Sequence, residues 1–245
     1  MGFHNTHAIC YFNALIQSLL SCEQWVEWAL CKRLEPNMKL LDQFFTFIES
    51  SQWDTLFPLR LLQSMQKVAS NQSSSEYFLH LLDAFPAMEK LFTCTFEFQQ
   101  QCRACGHQTT RRDISSNPLI STSLQELFDF NEEIADLLCS HCNTRQTHMV
   151  HRSLMNSPRI LAVSLNKYMH KRSVACPLEF QSESFTYRLK ACIDHRGVLG
   201  AGHYVARVSR MDRAVLADDL KMMELPAMDA QAPDIYMMFY ERHLH

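Results

Sequence analysis

Four cysteines in this chain fall into two matched pairs, Cys102-x-x-Cys105 and Cys139-x-x-Cys142, with residues 106–138 between them. Two thiolates at that spacing reach one ion from a tight turn. Two such turns complete a tetrahedral shell of four sulfurs, which favours zinc. A closed four-thiolate shell leaves no open position for a reactive water, so the expected Zn2+ is structural. Gly106, directly after the first pair, suits a knuckle that needs a positive φ. His107 and His141 are the substitute ligands should one cysteine not coordinate. Four unrelated buried cysteines are the bland alternative, and the matched spacing argues against it. A redox pair would want a βαβ setting that neither pair has. A fifth cysteine, Cys10, follows a short polar segment and opens an apolar run. A helix N-terminus favours the thiolate and can bring a thiol from about 8.5 to roughly 3.5–7.5 in pKa. A nearby histidine would complete the activation. Taken alone, a cysteine ahead of a helix is more often packed than reactive.

The elements that must position these groups are readable in outline. From Cys10 to about Leu20 the apolar residues predict a buried helix opening at or near the cysteine. Residues 37–50 and 56–69 carry helical spacing, with Phe57-Pro58 as a helix start. The polar run N-Q-S-S-S leads into E-Y-F-L-H-L-L-D-A-F, a helix over 76–85 with a strongly apolar face. Beyond Leu91 the texture changes. F-T-C-T-F-E-F-Q reads as a strand running into the first cysteine pair, and R-I-L-A-V-S-L-N-K-Y-M reads as another after the second pair. F-T-Y-R-L-K-A-C-I, H-Y-V-A-R-V-S-R, A-V-L-A and I-Y-M-M-F-Y-E-R follow as strands. A helical half joined to a β-rich half makes an α+β protein. Glycine is scarce, five in all, yet Gly197, Gly200 and Gly202 cluster before His203 and imply a mobile loop or a close backbone approach.

Composition bounds the function classes. The chain of 245 residues, 47% hydrophobic and 20% charged, can bury one large core or two small ones. A net charge of −3 argues weakly against nucleic acid. No run approaches the roughly 18 apolar residues of a membrane helix, and the first twenty residues do not read as a signal peptide. Cys22, Cys31, Cys94, Cys176 and Cys192 sit among apolar neighbours and are expected, for the most part, to be buried free thiols. Metal-type cysteine pairs and free thiols imply a reducing compartment, cytosol or nucleus.

Several segments in order resemble one family. G-F-H-N-T-H-A-I-C-Y-F-N-A-L-I-Q resembles the cysteine box of ubiquitin-specific proteases, G-L-x-N-x-G-x-T-C-Y-x-N-x-x-L-Q, with Gly2, Asn5, Cys10, Tyr11, Asn13 and Gln17 in register. G-A-G-H-Y-V-A-R-V resembles the same family's histidine box, and V-L-A-D-D-L its strand end with an acidic residue. N-Q-S-S-S-E-Y-F-L-H-L-L-D resembles Q-Q-D-A-x-E-F-L-x-x-L-L-D, and the two cysteine pairs occupy the place of the family's zinc-bearing fingers. S-P-R-I-L-A-V-S-L-N-K-Y and I-Y-M-M-F-Y-E-R resemble later boxes, so the likeness covers roughly residues 2–242.

This resemblance implies a papain-like cysteine protease of α+β fold with thumb, palm and zinc-ribbon fingers. It implies a single catalytic domain over 1–245: a helical thumb to about 92, fingers over about 93–165, and a β-rich palm over about 166–245. Cys10 would be the nucleophile, His203 its base, Asp218 (or Asp219) the orienting acid, and Asn5 the oxyanion donor. Glu76, Gln72, Gly202 and Tyr204 would line the path of the substrate's tail. The implied partners are conjugates of ubiquitin or a ubiquitin-like protein, acted on by a monomer without nucleic acid or membrane.

Three departures stand out. The family's G-N-T before the cysteine is His7-Ala8-Ile9; its Q-Q-D-A is Asn71-Gln72-Ser73-Ser74, which removes an aspartate but keeps Glu76; and its K-R-F is Asn166-Lys167-Tyr168. An arginine-bearing Leu-Arg-Gly-Gly tail fits the retained Glu76. Ubiquitin and the interferon-induced ubiquitin-like modifier both end that way, while SUMO fits less well. Two other readings compete. One is a silent ubiquitin-binding module, which the retained Cys10, His203 and Asp218 disfavour. The other is a zinc-ribbon nucleic-acid binder built on Arg103, Arg111, Arg112 and Arg145, which leaves the cysteine and histidine boxes unexplained.

Overall fold

A computed structural model describes residues 2–33, 35, 38–49, 54–65, 73–120, 123–165, 176–181, 185–198 and 201–244. Helices come first: α1 (Cys10–Leu19), α2 (Glu23–Lys32), α3 (Lys39–Glu49), α4 (Phe57–Ser64), α5 (Ser74–Ala84) and α6 (Pro86–Glu89). Twelve strands follow from Cys94 among the described residues, so the chain is α+β with its helices and strands segregated.

All ten residues of α1 are buried, its polar Asn13, Gln17 and Ser18 included. A helix without a wet face must be covered on every side. Here the sheet strands Phe185–Val198, Ala201–Arg210 and Arg213–Asp218 cover one side, and α4 and α5 the other. Pro58 in the first turn of α4 is placed where a missing N–H costs nothing. The expected helix over 56–69 is described to Ser64, and residues 66–69 lie outside the described residues. Rings knit the helical layer together: Phe44 stacks on Phe57 at 3.9 Å, and Phe78 meets Phe92 edge-on at 4.9 Å.

The eight-stranded sheet runs β11-β10-β9-β8-β12-β6-β3, with β7 pairing on β8. These strands are β3 (Leu119–Ile120), β6 (Ile160–Leu165), β7 (Glu179–Gln181), β8 (Phe185–Val198), β9 (Ala201–Arg210), β10 (Arg213–Asp218), β11 (Lys221–Leu225) and β12 (Ile235–Leu244). Among the described residues only β3 and β6 pair parallel. Alternation along the strands divides the core in two. Ile160, Ala162, Met237 and Phe239 face the helices; Leu161, Val163, Met238 and Tyr240 face the opposite side. A bulge beside Lys190 switches the facing of β8, so Tyr187 and Leu189 join the second core while Ala191 and Ile193 join the first. Arg207 on β9 forms a buried two-pronged pair with Asp194 on β8, at 3.0 and 2.8 Å. That pair fixes the two strands which carry the histidine segment.

A second sheet, order β2-β1-β5-β4, is built from two hairpins: β1 (Cys94–Cys102) with β2 (Gln108–Ser115), and β4 (Asp129–Leu138) with β5 (Arg145–Leu154). Each hairpin tip is one of the cysteine pairs. Strands β2 and β4 are exposed along most of their length, and no apolar alternation in their sequence announces them.

Candidate active site

The residues ahead of the candidate nucleophile run beside the β10–β11 turn. Phe3 N donates to Asp219 O at 2.9 Å, and His4 N donates to Thr55 O at 2.8 Å. Gly2 is required by this approach, because a Cβ there would lie 2.2 Å from Asp219 O. The chain then turns through two left-handed residues, His7 (φ 68) and Ala8 (φ 54), before Ile9, the N-cap of α1. His7 stands where the family pattern has glycine. The backbone shape of that glycine is therefore kept without it, at a cost of about 1–2 kcal/mol per residue.

Cys10 is the first residue of α1 and is buried. Burial pushes its thiol above the ordinary value; the Tyr204 N–H pulls it down; the Asp219 charge pushes it up again, and the N–H groups of Tyr11 and Cys10 itself pull the other way. The first of these wins, so the resting thiol is protonated at neutral pH. Tyr204 follows His203, and its N–H faces the Cys10 sulfur. The two boxes, nearly two hundred residues apart, therefore meet.

His203 lies on β9, and its Nε2 is 2.7 Å from Asp218 Oδ1 at the end of β10. Asp219 Oδ2 is 4.0 Å from the same nitrogen. Of the two adjacent aspartates, Asp218 is the imidazole's hydrogen-bond partner. With Nε2 so engaged, Nδ1 is the ring nitrogen left for proton exchange. Asp219, at φ 51, is turned elsewhere: the Asn13 side chain donates to its Oδ1 at 2.8 Å, and the Asn5 side chain also bonds it. Burial raises the Asp219 pKa, and the bonds from Asn13 and Asn5 oppose the rise. Asn5 itself is exposed. Sequence reasoning had Asn13 in register with no function attached. A buried amide three residues after Cys10, in a mostly apolar helix, was the signal available.

Of the expected tail-contacting residues, Glu76 lies on α5, and Gly202 and Tyr204 lie on β9. Ser73 caps α5 by accepting from Glu76 N at 3.1 Å, Ser74 Oγ donates to Tyr11 O at 2.8 Å, and Ser75 Oγ lies 2.5 Å from the Tyr236 hydroxyl. The serine that replaces the family aspartate thus keeps a capping bond and drops the charge. Glu76 is exposed beside His80, 3.9 Å away. Tyr204 packs on His195 at 4.4 Å and on Tyr236 at 5.8 Å. Gly202 pairs with Gly197 across the hairpin, and a Cβ there would lie 2.4 Å from His195 Nε2. Close approach is therefore what these two glycines serve. Gln72, Gly200 and the Asn166-Lys167-Tyr168 run lie outside the described residues.

At the far end, the four sulfurs of Cys102, Cys105, Cys139 and Cys142 lie within 4.8 Å of one another and can hold a metal ion. The two turns match. Gly106 N donates to Cys102 O and Asn143 N to Cys139 O, both at 2.9 Å, with Gly106 and Asn143 left-handed at φ 71 and 56. N–H groups of Cys105 and Ala104 lower the Cys102 thiol, and those of Cys142 and His141 lower Cys139. Cys105 and Cys139 sulfurs are 3.7 Å apart, near the ~3.8 Å edge of a tetrahedron with 2.3 Å metal–sulfur bonds. His107 and His141 stack on each other at 4.9 Å beside the four sulfurs. The ribbon's arginines are paired: Arg103 with Glu133, Arg111 with Asp113, Arg112 with Glu97 and Arg145 with Asp136. Of the remaining cysteines, Cys22, Cys94, Cys176 and Cys192 are buried; Cys31 is exposed on α2, a polar-faced helix that the sequence reading did not resolve.

A helix-opening thiol facing the N–H of the residue after an imidazole–carboxylate pair's histidine, on a thumb and palm with a four-cysteine ribbon, defines the papain-like thumb–palm–fingers class. The comparisons agree. The family profile described as Ubiquitin carboxyl-terminal hydrolase matches residues 1–240, and the chain belongs to that family. A probable ubiquitin carboxyl-terminal hydrolase 8 of Schizosaccharomyces pombe is 21% identical, covering 98% of this chain and 64% of that protein. Ubiquitin carboxyl-terminal hydrolase 5 of Arabidopsis thaliana is 25% identical over 54% of this chain and 17% of its own length. The chain thus spans less than two thirds of these relatives. Among solved structures, the SAGA DUB module bound to monoubiquitin has a TM-score of 0.79 at 14% identity, covering 99% of this chain and 69% of that one. The yeast SAGA module scores 0.81 at 14% identity, with 99% and 68% coverage.

Two predictions follow from this geometry. Because burial raises the Cys10 pKa, alkylation of the free protein by iodoacetamide should be slow at pH 7 and still climbing above the thiol's ordinary value. A rate already level at pH 7 would contradict it. Replacing the strained His7→Gly should raise stability by about 1 kcal/mol in urea unfolding, the relieved left-handed strain outweighing glycine's unfolded-state entropy.

Proposed function

We propose that this chain is the catalytic domain of a thiol-dependent deubiquitinase, cleaving the isopeptide or peptide bond after the C-terminal glycine of ubiquitin. The convergence of Cys10, Tyr204 and the His203–Asp218 pair carries this reading, because it unites a thiol with a base whose tautomer is held. His203 Nδ1 takes the Cys10 proton as sulfur attacks the glycine carbonyl, while Asp218 stabilises the imidazolium. The oxyanion is met by the Asn5 amide and by backbone N–H groups at the start of α1. Collapse gives a thioester and returns the proton to the leaving amine. Water, deprotonated by His203, then releases the tail. Glu76, Gly202, Tyr204 and Gln72 receive the tail, with Glu76 as the acid for its arginine. The proposal takes residues 1–245 as one unit with thumb, fingers and palm meeting near 92 and 165.

The solved neighbours are described as bound to monoubiquitin and to ubiquitin aldehyde, which supports ubiquitin as the modifier. The interferon-induced modifier shares the tail chemistry and is the runner-up. The ion-paired ribbon arginines favour no nucleic-acid partner. No described helix is long and apolar enough to cross a membrane, and we place the protein in cytosol or nucleus as a monomer. The four-cysteine group is assigned Zn2+, which when bound ties the two hairpin tips.

Ubiquitin carrying a C-terminal electrophile should label Cys10, and Cys10→Ala should abolish it. His203→Ala should lower kcat on a fluorogenic ubiquitin amide by at least about 10³-fold. Labelling that survives Cys10→Ala would sink the assignment. Metal analysis should return one zinc per chain, and Cys139→Ser should lose it along with thermal stability of the ribbon. Full folding and no bound zinc after purification without chelators would refute the metal.

A further inference from the structure

Strand β9 meets helix α1 at both of the helix's ends. At the first end, the Tyr204 N–H faces the Cys10 sulfur. At the last, Arg210, the closing residue of β9, reaches Gln17. Its Nη2 donates to Gln17 O at 2.9 Å and to Gln17 Oε1 at 2.7 Å. That carbonyl is one the helix end leaves over. Leu20 N donates to Ile16 O, Ser21 N to Ser18 O and Cys22 N to Leu19 O, so these three turn N–H groups pass over Gln17. The last turn of α1 holds no basic residue of its own. The cation that suits the negative end of a helix is therefore supplied by the strand.

The arrangement is costly. Burial pulls the Arg210 guanidinium down to about 10, and its Nε is buried without a hydrogen-bond partner. No carboxylate among the described residues pairs with it, whereas Arg207 on the same strand has Asp194. A buried cation without an acid destabilises a fold, and an apolar side chain of similar length would fill the place at lower cost. Packing alone gives no reason for arginine here. The double bond to Gln17 does. One nitrogen that grips both a backbone oxygen and the side-chain oxygen of one residue opposes sliding and rolling of the helix together. Two attachments, at Cys10 and at Gln17, then set the whole of α1 on β9. His203 precedes Tyr204 on that strand, so any slip of α1 changes the distance between sulfur and imidazole.

We propose that Arg210 is a positioning residue: by gripping Gln17 it pins the far end of α1 on β9 and thereby holds Cys10 in register with His203 and Tyr204. Its consequence for turnover rests on the acyl-transfer reading above, whereas the pin itself does not.

Arg210→Met keeps much of the side chain's length and removes the grip. Ser21 Oγ, donating to Lys190 O at 3.1 Å, still ties the end of α1 to the sheet. The variant should therefore fold, with Tm within about 4 °C of wild type. On a fluorogenic ubiquitin amide it should lower kcat about 10- to 100-fold, the effect of a displacement near 1 Å, with KM within about threefold. Alkylation by iodoacetamide, followed at Cys10 by mass spectrometry, should need a higher pH than in wild type. The Tyr204 N–H that lowers the thiol would no longer stand opposite the sulfur. Arg210→Lys, which keeps a charged donor, should return kcat to within about fivefold of wild type and move the alkylation profile part of the way back. A change in Tm with kcat and the alkylation profile both untouched would reduce Arg210 to packing and overturn the pin. So would a raised KM at unchanged kcat. Should Arg210→Met not fold, Arg210→Lys decides, and a wild-type alkylation profile in it overturns the proposal. Wild-type protein that hydrolyses no ubiquitin amide would instead remove the acyl-transfer reading, with the alkylation profiles still testing the pin.

Discussion

The structure depends on the burial of α1. Ten consecutive side chains with no wet face leave this helix no stable position except between two layers, and burying an apolar side chain is worth about 1.5–3 kcal/mol. One layer must be the helices to its side and the other the sheet beneath it. Its first residue, Cys10, therefore sits where the two layers meet. Any residue near that seam on β9 or β10 comes within reach of the sulfur. The juxtaposition of Cys10 with the Tyr204 N–H is thus a consequence of where a fully buried helix can go.

What the seam then requires is a way to aim polar groups into a place built by apolar packing. Backbone conformation supplies it. Successive strand residues point to opposite faces, so Asp218 and Asp219 could not both address the site from a regular strand. The left-handed turn at Asp219 breaks the strand and brings the second carboxylate round. His7 and Ala8 do the corresponding thing ahead of α1. Close approaches at Gly2 and Gly202 let two backbone segments lie nearer than any side chain would permit. The geometry of the candidate site is here a matter of a few unusual φ angles on an ordinary frame.

This division explains what was legible in the sequence. Elements with one or two buried faces were readable: α1, α3, α4, α5, β1, β6, β8, β9 and β12 all carry the periodicity that burial imposes. The segments that escaped are those with little buried surface. Helix α2 buries only Trp25 and Ala29 and takes its first-turn partner from Glu241, a residue more than two hundred positions away. Strands β2, β4 and β11 are set by pairing with a neighbour and show no pattern of their own. At the site, box order pointed to Cys10, His203 and the aspartate pair, but two identical neighbours cannot be told apart without φ angles. Nor could Ser73, Ser74 and Ser75 be recognised as three different contacts, since a serine's partner is a property of the fold.

The ribbon poses a separate physical problem. A single four-stranded sheet exposed along β2 and most of β4 buries too little to hold two hairpins in register by packing alone. Its base is secured: Phe96, Leu124 and Leu127 join the second core, and Arg152 reaches the Glu126 carbonyl at 2.5 Å while lying over the Phe96 and Phe130 rings. The tips have no such core. A sheet tied only at its base can splay, and the error grows with distance from the tie. Four thiols gathered within 4.8 Å at the opposite end are where a second tie is most effective. Matched left-handed residues in both turns let two short loops present their sulfurs to one point. A metal ion held by those four sulfurs would substitute at the tip for the hydrophobic burial that operates at the base.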